Sequence, residues 1–468
     1  MTEQTERSLA GSSLDETSLD GTSLDGTSLD ETSLDETSLD ETSVDETLLD
    51  ETSAVETSSA ERGSHADDRR VGDRHDGDRH RGSGSERGGG GGGGGDGVAG
   101  GRNVVTGEVG GGAVAGTVGG RLATAALPET VPPSHPLVEP HPLAEPRPLG
   151  EPRTWPRDFT DRLTAPLPGV RALARIAREG KLRPAAETLR QIQQLPFEPG
   201  PMPEAGPTTV ALTWAGHASW VIRIGGLTVL TDPVWSRKIL GTPARVTPVG
   251  VRWEDLPPVD AIVISHNHYD HLDAPTLKRL PRDVPLLLPA GLAPWARRRG
   301  FTQVTDLDWW EAVELAGPAG PVRIDFVPAH HWSKRTLTDT CRSLWGGWVL
   351  TAPDGRRIHF AGDTGYGHWF EEIGRRYRDI DLALLPIGAY DPRWMLRPVH
   401  TDPEEAVRAC QDLGARCLAP MHWSTFLLSA EPPLEPLHRI RAAWAATGRP
   451  RSDLWDLPVG ASRVLAER

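Results

Sequence analysis

Three histidines and one aspartate fall within the six residues His266-Asn267-His268-Tyr269-Asp270-His271. Imidazole nitrogens mixed with a carboxylate suit a transition metal, zinc ahead of iron or manganese. The run Ala261-Ile262-Val263-Ile264 just before the cluster reads as a buried strand. His266 and His268 are two apart, so on extended backbone both rings point to one side. Asp270 and His271 can then turn toward a second point close by. Two imidazoles serving one cation, with a carboxylate and an imidazole serving another, make the ligand set of a dinuclear site. The plainer alternative is a surface loop rich in histidine. It does not account for four donors packed this densely at the end of a strand.

Further candidates recur in the same way, just past strand ends. An apolar strand over 322–327 runs into His330-His331, one over 357–361 into Gly362-Asp363, and one over 416–420 into Met421-His422. Strand ends on one edge of a sheet converge, so distant segments can build one site. Around them the pattern predicts helical periodicity over 170–194 and a strand over 212–224, paired with 227–230 about Gly225-Gly226. Strands are expected over 260–265 and 285–289, with a short helix over 294–299. Residues 345–352 and 357–361 form a hairpin on Asp354-Gly355. A buried strand covers 380–387. Asp402, Pro403 and Glu405 open a helix with a capping box, Gly414 ends it, and a last helix spans 436–447.

Charge divides the chain. Residues 1–153 hold 30 acidic and 12 basic side chains, and 154–468 hold 35 and 38, against a total net charge of −15. The acidity therefore belongs to the first third. There, residues 13–57 repeat Ser-Leu-Asp-Glu/Gly-Thr about nine times. A pentapeptide β-helix shares the period, but one leucine per pentad buries too little to offset ordering entropy, so an acidic unfolded tract is expected. Gly88 to Gly95 is an unbroken glycine run, and three Pro-rich hexads fill 135–152 as a polyproline II spacer. The expected organisation is a disordered low-complexity tail over 1–153 and one large α/β domain over 154–468. Cys341, Cys410 and Cys417 form no CxxC pair, which argues against a disulfide framework or a cysteine-based zinc site. With no signal-like start and no apolar run long enough to span a bilayer, a cytoplasmic protein is expected, peripheral at the membrane at most.

The order His-x-His-x-Asp-His, a later His, Gly-Asp and a last His resembles the metallo-β-lactamase superfamily. Within it the chain is similar to the N-acylphosphatidylethanolamine-hydrolysing phospholipase D family. The matching motifs are Trp-Ala-Gly-His-Ala (214–218), Leu-Thr-Asp-Pro (230–233), Ile-Ser-His-Asn-His-Tyr-Asp-His-Leu-Asp (264–273), His-Trp-Ser-Lys-Arg-Thr-Leu (331–337), Phe-Ala-Gly-Asp-Thr-Gly-Tyr (360–366) and His-Thr-Asp-Pro-Glu-Glu-Ala-Val (400–407). The resemblance implies an α/β fold, an αββα sandwich, and two Zn2+ per chain. One zinc would take His266, His268 and His331. The other would take Asp270, His271 and His422, with Asp363 bridging. His331 is chosen over His330 because Trp332 follows it, as in the family motif. Tyr269 and His400 match positions that contact lipid, Lys334 matches one at the entrance, and His217 would support the ligands from behind.

The activity implied by the resemblance is that of a phosphodiesterase of phospholipase D type. It would release N-acylethanolamine and phosphatidic acid through a hydroxide shared by the two metals, with Asp270 and Asp363 as catalytic carboxylates. Expected partners are a phospholipid or small amphiphilic ester, a second copy of the chain, and no nucleic acid. The rival within the superfamily is a lactonase or other ester hydrolase using the same donors.

Overall fold

A computed structural model describes residues 142–467; the acidic pentads, the glycine run and the first Pro-rich hexad lie outside the described residues. In chain order the regular elements begin with α1 (Val170–Arg178), β1 (Val210–Gly216), β2 (Ser219–Ile224), β3 (Leu227–Thr231) and β4 (Ala261–Val263). Next come α2 (Ala274–Arg279), β5 (Leu286–Pro289), α3 (Ala293–Arg298), β6 (Val304–Leu307), β7 (Ala312–Gly317), β8 (Gly320–Val327), β9 (Gly347–Thr351) and β10 (Arg357–Phe360). The chain closes with α4 (Trp369–Arg376), β11 (Leu382–Pro386), α5 (Arg393–Leu396), α6 (Pro403–Asp412), β12 (Cys417–Met421), α7 (Glu435–Ala446) and β13 (Ser462–Leu465).

Two sheets result, one of order β13-β1-β2-β3-β4-β5-β6 and one of order β12-β11-β10-β9-β8-β7. The central strands are apolar on both faces because both faces are covered. In β4, Ala261 and Val263 enter the core between the sheets, whereas Ile262 joins the outer layer. That outer layer packs α2 and α3, through Leu277, Ala293 and Ala296, against Leu286 and Leu288. On the far side, Phe370 and Ile373 of α4, Ala406 of α6 and Ile440 of α7 cover the second sheet. Helices thus flank a pair of sheets, the expected αββα arrangement.

Strand direction is what builds the site. β3 and β4 are parallel, and so are β10, β11 and β12. β8 is antiparallel to β9, which is antiparallel to β10, so β8 runs the same way as β10. β3, β4, β8, β10, β11 and β12 deliver their carboxyl ends to one edge. The two sheets close there: Trp348 Nε1 donates to the carbonyl of Ile264 at 3.0 Å, and Gly346 N donates to that of Ser265 at 3.0 Å. Gly362 lies at φ 60°, and a Cβ on it would stand 2.5 Å from the Ser265 Cβ, so no other residue fits between the two ligand loops.

Three expectations change. The strand over 212–224 is two strands, because Gly216 (φ 116°) and His217 (φ 54°) reverse the chain between them. The helical stretch over 170–194 stops at Arg178 and resumes as a 3-10 helix over Ala186–Gln194, since Gly180 (φ 66°) and Pro184 interrupt it. Residues 142–153, assigned to the spacer, run along the edge strands β6 and β7. Arg147 N donates to Ala312 O at 2.7 Å, Gly150 N to Thr305 Oγ1 at 2.7 Å, and Arg147 and Arg153 both pair with Glu311. The helix opened by Asp402 forms as expected, its carboxylate accepting from Glu405 N at 2.9 Å.

Candidate metal centre

The loop after β4 carries four donors, and three of their partners arrive from the ends of β8, β10 and β12. The nitrogens of His266 (Nε2) and His331 (Nε2) lie 2.9 and 3.2 Å from Nδ1 of His268. That spacing is close to the roughly 3.3 Å expected between ligands on one tetrahedral zinc with Zn–N near 2.0–2.1 Å. A second group gathers Asp270, His271 and His422: Oδ2 of Asp270 stands 3.4 Å from Nε2 of each histidine. Asp363 sits between the groups. Its Oδ1 is 3.0 Å from His422 Nε2, and its Oδ2 is 3.2 Å from His271 Nε2, 3.8 Å from His331 Nε2 and 3.9 Å from His266 Nε2.

The supporting contacts set which nitrogen of each ring faces inward. Asp232, at the end of β3, is fully buried and accepts from His271 Nδ1 at 2.7 Å, which turns Nε2 toward Asp270 and Asp363. The same carboxylate accepts from the Ser265 hydroxyl, whose oxygen therefore accepts from His266 Nδ1 at 2.9 Å. The Val399 carbonyl accepts from His331 Nδ1 at 3.0 Å. His217 Nε2 lies 2.9 Å from Asp270 Oδ2, fixing that carboxylate. These are the contacts that orient metal-ligating imidazoles and carboxylates.

The inward-facing atoms are left over. Nε2 of His271 and of His422, and Oδ1 of Asp363, are buried and make no hydrogen bond, although they crowd one another at 3.0–3.4 Å. They aim at shared points instead of at each other. Buried polar groups without partners are costly, and a cation between them removes the cost. The residues present therefore fit a pair of metal ions: His266, His268 and His331 form one cluster able to hold an ion, and Asp270, His271 and His422, with His217 beside them, form another. Backbone strain is concentrated here too: Asp232 (φ 34°), His217 (φ 54°) and His422 (φ 61°) all adopt left-handed conformations.

The electrostatics of the two groups differ. Burial, reinforced by neighbouring imidazoles, holds His266 well below the usual histidine value, and burial lowers His268 to about 4. Burial also acts on His271 and His422, but Asp363 and Asp270 outweigh it, holding His271 well above its ordinary value and His422 at about 9. Asp363 stays well below the carboxylate range against burial because His271 and His422 face it.

All seven predicted donors come together, and the doubled histidine separates cleanly. His331 turns inward, whereas His330 turns away, with Nδ1 2.9 Å from Thr164 Oγ1 and its ring against His368 and Trp369. His400 faces the site, its Nδ1 buried without a hydrogen bond and 4.0 Å from Asp363 Oδ2. Tyr269 lies beside the donors under the Arg335 guanidinium, 4.0 Å from its ring centre, and packs on Val234, Ile239 and Phe426. Lys334 is half-buried on the loop after His331. Sequence reasoning assigned no role to Asp232, Ser265 or Arg335. Arg335 donates to Leu272 O at 2.7 Å and Asn267 O at 3.3 Å, pinning both ends of the ligand loop. The available signal for Asp232 was its place, directly after the buried strand beside the one that leads into the histidines.

Residues 228–423 match the family model of a β-lactamase superfamily domain. An uncharacterized protein of Mycobacterium tuberculosis is 38% identical over 287 residues, covering 57% of this chain and 71% of that one. An N-acyl-phosphatidylethanolamine-hydrolyzing phospholipase D of Caenorhabditis elegans is 37% identical over 258 residues, 52% of this chain and 71% of its own. The mitochondrial N-acyl-phosphatidylethanolamine-hydrolyzing phospholipase D of Saccharomyces cerevisiae is 38% identical over 242 residues, covering 50% of this chain and 52% of the yeast protein. Motif order, sheet topology and converging donors agree with these matches: the chain belongs to the metallo-β-lactamase superfamily of metal-dependent hydrolases, in the family of these phospholipase D relatives.

Proposed function

We propose that this protein is a zinc phosphodiesterase of phospholipase D type, acting on N-acylphosphatidylethanolamine-like lipids. The observation that carries the chemistry is the meeting of His266, His268, His331, Asp270, His271, His422 and Asp363 with unpaired atoms aimed inward. The lipid class is supported by the worm and yeast relatives. His266, His268 and His331 would hold one cation, Asp270, His271 and His422 the other, with Asp363 reaching both. Two bound divalent ions supply Lewis acidity, making water nucleophilic at neutral pH and neutralising charge on the phosphoryl oxygens.

The chain's own residues do the rest. Hydrolysis joins a water oxygen to phosphorus and breaks the bond from phosphorus to the ethanolamine oxygen, which leaves with a proton. Asp270, fixed by His217 Nε2 behind it at 2.9 Å, is the carboxylate placed to take up the water proton. His400, lowered to about 4 by burial, is neutral at pH 7 and offers Nδ1 to the bound phosphodiester. Tyr269, set by Arg335, lines the way in. The test is metal content together with turnover of purified protein on an N-acylphosphatidylethanolamine and on a lactone. Phosphodiester cleavage that vanishes in Asp363→Ala is expected. Lactone turnover without phosphodiester turnover sinks the lipid assignment and leaves the rival esterase.

A further inference from the structure

The segment between β11 and α5 touches the metal centre from behind. Ile387 N donates to the carbonyl of Met421 at 3.0 Å, and the next residue, Gly388, lies against the peptide of His422. A Cβ on Gly388 would collide with the His422 carbonyl oxygen, so nothing separates this loop from that donor's backbone. Ala389 follows at φ 59°, a left-handed conformation that disfavours any residue with a Cβ. Glu431 holds it there. Its half-buried carboxylate accepts from Ala389 N at 2.6 Å, from Asp391 N at 3.2 Å and from the Ser429 hydroxyl. Ala430 N donates to the Asp391 carbonyl at 3.1 Å, a third tie between the two segments. No lysine or arginine is among the described hydrogen-bond partners of Glu431, so the loop and one hydroxyl are what compensate its charge. The other group of donors is reached less directly, through α5. Arg393 donates to the carbonyl of His400 at 2.8 Å, and the neighbouring Val399 carbonyl accepts from His331 Nδ1 at 3.0 Å.

We propose that Glu431 is a positioning residue for the second cation, holding the 388–391 loop in the shape that sets the backbone of His422. A carboxylate suits this task because both of its oxygens accept, whereas an amide offers one accepting oxygen and a donor. His422 itself stands at φ 61°, so its conformation is imposed by its surroundings. On one side its N–H donates to the His217 carbonyl at 3.1 Å, and on the other its carbonyl meets Gly388. Glu431 does for the backbone of His422 what Asp232 does for the ring of His271. The proposal rests on the two-cation reading of the centre and is independent of the bond that is cleaved.

The experiment is stepwise Zn2+ titration of the metal-free full chain by calorimetry, with Co2+ spectra reporting each site. Glu431→Gln should weaken the second cation about tenfold, as for a group lost from behind a ligand, and the first by less than about twofold. The visible bands of Co2+ in the second site should shift while those of the first stay in place. Lowered fold stability alone moves neither readout. Glycine adopts φ 59° without penalty, so adding Ala389→Gly to Glu431→Gln should recover part of the lost affinity. If Glu431→Gln does not fold, Glu431→Asp keeps the charge but reaches one methylene less far, and should weaken the second cation about threefold. Two equivalents bound by wild type, with the second held as tightly by either Glu431 variant, overturn this proposal alone. Equal weakening of both cations, or a double variant as weak as Glu431→Gln, overturns it as well. Wild type that binds fewer than two equivalents overturns the two-cation reading and this proposal with it.

Discussion

The two halves of the metal centre are built from similar side chains yet solve different electrostatic problems. His266, His268 and His331 are imidazoles alone, backed by a hydroxyl and a backbone carbonyl. Burial drives their basicity down, so without a metal they are neutral rings facing each other. The group of Asp270, His271 and His422 contains a carboxylate and is backed by a second, Asp232. There the carboxylates raise the histidines, so a proton stands where a cation would otherwise be. One half rejects protons and the other stores them. Two cations held this way would be unequal: the first would meet neutral donors, the second charged ones.

Asp363 is the only carboxylate reaching both halves among the described residues, so Asp363→Ala is the severest test. Metal content should fall in both, and turnover by about a thousandfold or more, as expected when transition-state charge loses its support. Retention of one full metal equivalent would show that the halves are more independent than their shared oxygens suggest. Asp232→Asn comes next and is selective. It should weaken the second metal about 10- to 100-fold, the usual cost of losing a carboxylate behind a ligating imidazole, and the first by less, since Asp232 reaches His266 only through the Ser265 hydroxyl. Equal loss at both would break the distinction. Chelator titration with metal analysis reads both variants.

The proton stored in the second half gives a smaller effect, with a definite sign. His422 at about 9 is protonated at pH 7 in the metal-free protein, and a ligand must be neutral. His271 is held above its ordinary value as well, so binding the second cation releases protons from both rings, and its affinity should rise by at least about tenfold per pH unit until pH reaches about 9. His268, at about 4, is already neutral, so the first cation should bind with nearly flat dependence between pH 6 and 9. Calorimetric titration in buffers of different ionisation enthalpy counts the released protons. A flat profile for both sites would refute the contrast.

Much of the fold and the site was legible beforehand, and the gaps have physical causes. The donors of 266–271 announce themselves by density, and His331, Asp363 and His422 by coming after apolar strands. Parallel strands then bring them together without further instruction. Asp232 and Ser265 escaped because a single carboxylate or hydroxyl beside a strand has no periodicity and becomes meaningful only once His266 and His271 are placed beside it. The β1–β2 turn escaped because Trp214, Ala215, His217, Ala218, Ser219 and Trp220 are all buried, so no exposed residue marks the reversal. What turns the chain is backbone conformation at Gly216 and His217, and only the glycine hints at it. The strap of residues 142–153 read as spacer because its prolines suit extended backbone equally well when bound to a sheet edge.

The gentlest probe acts on the first half from outside. Thr164 Oγ1 is hydrogen-bonded to His330 Nδ1, and His330 is covalently next to the ligand His331. The second half has no such tie among the described contacts, its brace being Asp232 instead. His330, lowered to about 4 by burial and by His368, is neutral and needs that one partner. Thr164→Val removes it at nearly constant shape, at a cost of about 1 kcal/mol in stability, as for one neutral hydrogen bond. The backbone at 330–331 is also held by His330 N donating to Thr364 Oγ1 at 3.0 Å and by Gly365 N donating to the His330 carbonyl at 2.8 Å, so the ring of His331 should shift little. The first metal should therefore loosen by less than about tenfold while the second keeps its affinity and its proton release. A loss confined to the second metal would mean that the halves are coupled through Asp363 more tightly than their separate braces imply.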